Sequence, residues 1–151
     1  AAVAAVLGAS CVEVYLGVKD GPLNPETKSV AGSCRHLGLT PTDAATMAWA
    51  GIIGEFLLDE NNSGMDDFDL YTEFLDNRSS NPPSPTDQAV IDRLPKKKRE
   101  STCDAAWKLA RTHWKDIETM ARKCQKAFSS DDGFYGFVEF DGKRITLRSK
   151  Y

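Results

Sequence analysis

The stretch STCDAAWKLARTHWKDIETMARKCQKAF, residues 101–128, carries the clearest periodic signal in the chain. Cys103, Trp107, Ala110, Trp114, Ile117, Ala121, Cys124 and Phe128 follow one another at alternating intervals of four and three. On an α-helix that spacing gathers all eight side chains on one stripe. His113, Met120 and Ala127 widen the stripe, and Lys108, Arg111, Lys115, Glu118, Arg122, Lys123 and Lys126 lie opposite it. Ser101 or Thr102 is placed to cap the start, and Asp104 falls in the first turn, where a carboxylate favours the helix dipole. The spacing predicts one long amphipathic helix over 101–128, a core element with no chemistry of its own.

Working back from it, Pro95 and the basic run Lys96, Lys97, Lys98 and Arg99 read as a solvated linker. Thr86 to Leu94 is a short helix with Val90, Ile91 and Leu94 apolar. Residues 77–86, NRSSNPPSPT, form a flexible Pro/Ser loop. Phe68, Tyr71, Phe74 and Leu75 mark a helix ending near Asn77. Thr40-Pro41-Thr42-Asp43 opens a strong helix: Thr40 caps, Pro41 suits the first position and Asp43 holds the capping-box acid. Its buried face is Ala45, Ala48, Trp49, Ile52, Ile53 and Phe56, and it ends near Leu58. Ser29 to Leu37 reads as a helical turn or short helix, after a loop signalled by Asp20-Gly21-Pro22. Ala1 to Val18 has the length of a membrane span but carries Glu13, so a buried first helix is expected, with a short strand over Val12 to Val18 as the alternative. Beyond Phe128 the period changes to two, and Asp141-Gly142 between alternating runs predicts a β-hairpin over 134–149. The fold expected is mainly α: one compact domain over 1–151, with four to five helices within 1–128 and a carboxy-terminal hairpin.

The totals bound what such a domain does. With 151 residues, 41% apolar and 27% charged, the chain is an ordinary globular one. Such a chain buries about two-thirds of its unfolded surface. A net charge of −3 and a pI near 5.4 provide no global field to attract nucleic acid or anionic lipid.

The four cysteines are constrained by geometry. Cys103 and Cys124, 21 residues apart, would stand about 30 Å apart on one helix, whereas a disulfide needs Cα atoms within about 7 Å. Any two bridges would therefore join Cys11 and Cys34 to Cys103 and Cys124, in either order. Asn61-Asn62-Ser63 and Asn77-Arg78-Ser79 are glycosylation sequons, with Asn61 and Asn77 as acceptors. With the even cysteine count and a first residue that is not Met, they point to a secreted or lumenal, oxidising setting. Lys96–Arg99 is the opposing signal, because the same run serves as a nuclear address.

Asp59 to Asp67 resembles the first half of an EF-hand calcium loop, with Asp59, Asn61 and Ser63 at the oxygen-bearing positions, Gly64 at the turn and Asp67 further on. It departs at Asp66, where an aliphatic belongs, and at Leu70, where the bidentate acid is required. Without that acid the cation loses its strongest ligand, so a plain acidic interhelical loop and no cofactor are expected, with calcium as the alternative. Catalytic candidates are few: His36 and His113 are the only histidines, and Cys34 with His113 could converge as a thiol–imidazole pair, although His113 reads first as the edge of the apolar stripe. No phosphate loop or nucleophile elbow occurs. The expected function is a non-enzymatic interaction protein whose partner is another protein. The alternatives are a small secreted hydrolase using His36 or His113, and an intracellular regulator addressed to the nucleus or cytoplasm.

Overall fold

The computed structural model describes residues 1–18, 30–59, 64–128 and 134–149. The fold is mainly helical and ends in an antiparallel strand pair. In chain order the elements are α1 (Ala2–Val6), β1 (Ser10–Val18), β2 (Val30–Leu37), α2 (Pro41–Leu58), α3 (Asp67–Asn77), α4 (Pro85–Asp92), α5 (Lys96–Thr112), α6 (Trp114–Phe128), β3 (Phe134–Phe140) and β4 (Ile145–Ser149). They form two compact units: Leu39–Thr112, and Ala1–Gly38 together with His113–Tyr151.

The unit Leu39–Thr112 is wholly helical in its described part, and its helix starts follow from the sequence. The Asp43 amide donates to Thr40 Oγ1 at 3.2 Å, the Asp69 amide to Asp66 Oδ1 at 2.8 Å and the Asp87 amide to Ser84 Oγ at 3.2 Å. Each bond satisfies an amide that the helix itself leaves unpaired. α2 packs on α4 and α5. The core joins Trp49, Ile53 and Phe56 of α2 with Phe74, Ile91, Cys103 and Trp107, all buried. Phe74 stacks on Trp107 with centroids 5.4 Å apart and meets Phe56 edge-on at 5.6 Å. Trp49 Nε1–H donates to Thr102 Oγ1 at 3.1 Å, while the Thr102 hydroxyl donates to the Arg99 carbonyl at 2.6 Å. Both buried polar groups are thereby satisfied.

The other unit is a four-stranded antiparallel sheet of order β2-β1-β3-β4, with α1 and α6 packed on its strands. Val12, Val138 and Ile145 are buried on it, as are Ala2 to Ala5 of α1 and Met120 of α6. Gly8, at φ +91°, ends α1 in the left-handed conformation that glycine adopts without steric cost. A bulge between Ser10 and Glu13 follows, with Cys11 at φ +53°, an unusual angle for a residue with a Cβ. Gly136 is required by packing: a Cβ there would lie 2.7 Å from the Arg148 carbonyl and 2.8 Å from the Phe134 ring.

Four expectations are corrected. The long helix over 101–128 is two helices, interrupted at His113. The apolar phase runs through the break unchanged, so periodicity cannot register it. The first helix is confined to Ala2–Val6, and Ser10–Val18 is strand, as the alternation of Val12, Val14 and Leu16 with Glu13 and Tyr15 favours. Val30–Leu37 is strand as well, where a helical turn was expected; backbone pairing with β1 overrides its weak local preference. The hairpin is therefore half of a larger sheet, and residues 1–128 are not all helical. Finally, Lys96–Arg99 is the first turn of α5 and not a linker. Arg99 folds back, its Nε donating to the Leu94 carbonyl at 2.9 Å and an Nη to the Asp92 carbonyl at 3.0 Å, which caps the end of α4.

Among the described residues no helix is long and apolar enough to cross a membrane.

Candidate functional site

Strand alternation sends Val12, Val14 and Leu16 to one face of the sheet and Glu13 and Tyr15 to the other. The register then assembles the second face from four strands. Glu13 lies opposite Arg35 on one side and Phe137 on the other, and Phe137 lies opposite Arg148. One row thus runs Arg35, Glu13, Phe137, Arg148 across the whole sheet. In the next row Tyr15 faces Tyr135, and on the other side Glu139 faces Thr146.

The rings in these rows touch. Tyr15 and Tyr135 meet edge-on with centroids 6.5 Å apart, and Tyr135 meets Phe137 at 5.7 Å and 83°. The Arg148 guanidinium lies over the Phe137 ring at 5.9 Å and reaches Glu139 at 3.3 Å. That stacking holds a long side chain in one orientation. Tyr15 is 51% exposed, Tyr135 and Phe137 are half-buried, and Arg35, Glu139 and Arg148 are exposed. The result is an aromatic centre with a rim of both charge signs.

β4 is held in register for this by α6. The Ile145 amide donates to Asp116 Oδ2 at 2.9 Å, and Arg144 Nε to Asp116 Oδ1 at 3.2 Å. The Ile145 amide above all, with Arg144 second, holds the Asp116 carboxyl below the ordinary carboxylate range. The hairpin turn is fixed in the same way, with Asp141 Oδ1 accepting the amides of Lys143 and Arg144, both at 2.8 Å. Those amides lower the Asp141 carboxyl too.

The residues singled out from the sequence are scattered. All four cysteines are free thiols, and the two bridges expected between them are not formed. Cys11 and Cys34 are exposed on β1 and β2, and Cys124 is half-buried on α6. Cys103 is enclosed in the helical unit, where Arg78 Nη1 donates to its sulfur at 3.5 Å. Burial pushes the Cys103 thiol up to about 11. Its expected partners, Cys11 and Cys34, lie on strands of the other unit.

Asn61 and Ser63 lie outside the described residues. Of the remaining calcium candidates, Asp59 caps the end of α2, and Asp67 opens α3 with its carboxylate 2.8 Å from Arg111 Nε. Among the described residues no three His, Cys, Asp or Glu side chains gather as metal ligands. Asn77 ends α3, half-buried, and accepts from Asn81 Nδ2 at 2.8 Å. Lys96, Lys97 and Lys98 are exposed on α5. His113 meets Phe140 edge-on at 5.3 Å, and His36 buries Nδ1 on β2 without a hydrogen-bond partner among the described residues.

Sequence reasoning missed Tyr15, Tyr135 and Arg148 as a group. Alternation within the hairpin does place Phe137 and Glu139 together, but their union with Tyr15 depends on the β1–β3 pairing, which joins strands more than a hundred residues apart in sequence.

Comparison of the chain with protein-family models, with curated proteins and with solved structures finds no match.

Proposed function

We propose that the chain is a non-enzymatic binding module whose partner is another protein, held on the solvent face of the four-stranded sheet. The observation that carries this is the contact set Tyr15–Tyr135–Phe137–Arg148 at the centre of an exposed face. Tyrosine, arginine and other aromatic side chains dominate the energetics of protein interfaces, because they offer large contact area at small entropic cost and keep a polar tip. The rim supports a protein partner over nucleic acid. Glu13 and Glu139 alternate with Arg35 and Arg148, so a polyphosphate would meet carboxylates between the guanidiniums. A protein surface with an apolar centre and charges of both signs matches the whole face.

The test replaces Tyr15 with a photo-crosslinking aromatic residue in the full chain, expressed in its native cells. The expected outcome is one discrete protein adduct, lost in Phe137→Ala and Arg148→Glu backgrounds and retained in Lys108→Glu. An adduct pattern indifferent to all three changes, or one dominated by nucleic acid, refutes the proposal.

A further inference from the structure

The four-stranded sheet has two edges, β2 and β4. One hydrogen bond fixes which backbone groups each edge offers. The Ile145 amide donates to Asp116, so it points away from β3. Successive residues of a strand turn their amides and carbonyls to opposite sides, and directly opposed residues turn theirs either toward each other or both away. Through the register from Ile145 to Phe140, Val138 and Val12, that alternation makes Glu13 and Tyr15 bond to β2. Their partners Arg35 and Ser33 bond back to β1, so Cys34 and His36 turn their amides and carbonyls outward. The Leu37 carbonyl agrees: it lies on the inward side and accepts from Ser10 Oγ on β1 at 3.5 Å. We propose that this outward edge of β2 pairs antiparallel with β2 of a second copy of the chain, joining two sheets into one.

The two edges differ in protection. Charged side chains, proline and bulges keep a strand edge from pairing. On β4 the Asp116 carboxylate occupies the Ile145 amide, with Arg144 beside it and Arg148 further along the strand. β2 reads VAGSCRHL, with Arg35 as its one charge and no proline, and the extra residue of the bulge belongs to β1. Among the described residues no group bonds to the outward amides of Cys34 and His36. Cys34 and Arg35 are exposed, and Leu37 is 63% exposed, an unusual burden for a large apolar side chain.

Charge and apolar matching select a second copy and its register. A two-fold axis at Cys34 sets Arg35 opposite Ser33 of the second copy, and Leu37 opposite its Ala31. An axis at Arg35 would oppose two guanidiniums. An axis at Ser33 would leave Leu37 beyond the paired residues. The strand is therefore self-complementary about Cys34, whose outward groups form the central hydrogen-bonded pair with Cα atoms about 5.5 Å apart. That separation lies within the reach of a disulfide. The axis runs perpendicular to the sheet, so the Tyr15–Phe137 faces of both copies come to one side. The pairing uses the strand edge and does not depend on what that face binds.

The experiment is sedimentation of the full chain, reduced, at rising concentration. A monomer–dimer equilibrium in about the micromolar range is expected. Cys34→Ser keeps the dimer. Cys34→Pro loses only an amide that faces the open edge, so it keeps a native far-ultraviolet spectrum and weakens the dimer about tenfold or more. Leu37→Glu, changed at an exposed position, weakens it as well by setting a carboxylate opposite Ala31. With oxidised glutathione the parent gives a Cys34–Cys34 disulfide: two thiols lose their protons and two electrons, and the reagent leaves as two glutathione thiols. Cys11→Ser and Cys124→Ser form the same link. A chain that stays monomeric at about 100 μM overturns the proposal. So does a dimer indifferent to both Cys34→Pro and Leu37→Glu, or one linked through Cys11 or Cys124 instead of Cys34.

Discussion

Asp116 on α6 accepts the backbone amide of Ile145, the first residue of β4, at 2.9 Å. A helix side chain thereby satisfies a strand amide and fixes where the last strand begins. Because Arg148 follows on the same strand, this bond also sets the guanidinium over Phe137.

The Asp116 carboxyl titrates below its ordinary range when folded, through the Ile145 amide first and Arg144 second. A depressed folded pKa contributes stability that is present above the unfolded pKa and lost as pH falls through the folded value. Asp141, lowered by the turn amides, adds in the same direction. Chemical denaturation across acid pH should therefore show stability falling below about pH 4. Asp116→Asn should be less stable than the parent at neutral pH and show a shallower acid dependence. Parallel curves for the two proteins would contradict this account.

Gly136 faces Val14 and Ser149 in the sheet, and a methyl group there meets backbone, which cannot rotate away. Gly136→Ala should cost about 1–3 kcal/mol as overpacking. Urea denaturation would detect the loss. By contrast Gly54, with nothing within 4 Å of a built Cβ, should accept alanine with a small gain, as expected in a helix interior.

Phe74 is 1% exposed and contacts Phe56, Tyr71 and Trp107. Phe74→Ala should destabilise the helical unit by about 3–5 kcal/mol, combining lost transfer energy with a cavity between rings. Trp49→Phe removes the bond to Thr102, whose hydroxyl still donates to Arg99, and shrinks the buried ring beneath the Arg78 guanidinium, and should cost about 1–3 kcal/mol. Thermal unfolding of both variants would rank them in that order.

The thiols should separate by reactivity. Cys103 is fully buried and its thiol is raised to about 11, so at neutral pH it should resist alkylation until the protein unfolds. Exposed Cys11 and Cys34 should be modified first, and half-buried Cys124, also raised by burial, more slowly. Timed alkylation with peptide mapping gives the order directly. Early labelling of Cys103 would mean that the Arg78 and Tyr71 side of the core opens readily.

The helices of the 39–112 unit were legible because their determinants are local. Thr40 with Pro41 and the apolar positions of α2 and α3 fix starts and faces within a few residues of themselves. The hairpin was legible for the same reason, through Asp141-Gly142. The break at His113 was not, since no shift of phase, proline or glycine marks it. Nor was the role of Arg99, whose contacts with Asp92 and Leu94 arise only once α4 and α5 meet. The candidate surface was half legible: Phe137 and Glu139 share a face by parity alone, whereas Tyr15 and Arg35 join them only through pairing.

By itself, then, the sequence determined the mainly helical class, the Thr40 cap and the closing hairpin, because propensity, capping and turn chemistry act over a few residues. Ser101 and Thr102, expected to cap a helix, lie inside α5 instead. The tertiary structure decided that β1 and β2 are strands, that the 101–128 stripe is two helices, and that three aromatic rings and four charges share one exposed sheet face. Strand pairing is a contact between distant segments. Its hydrogen bonds outweigh weak local preferences only after folding has brought the partner strand alongside.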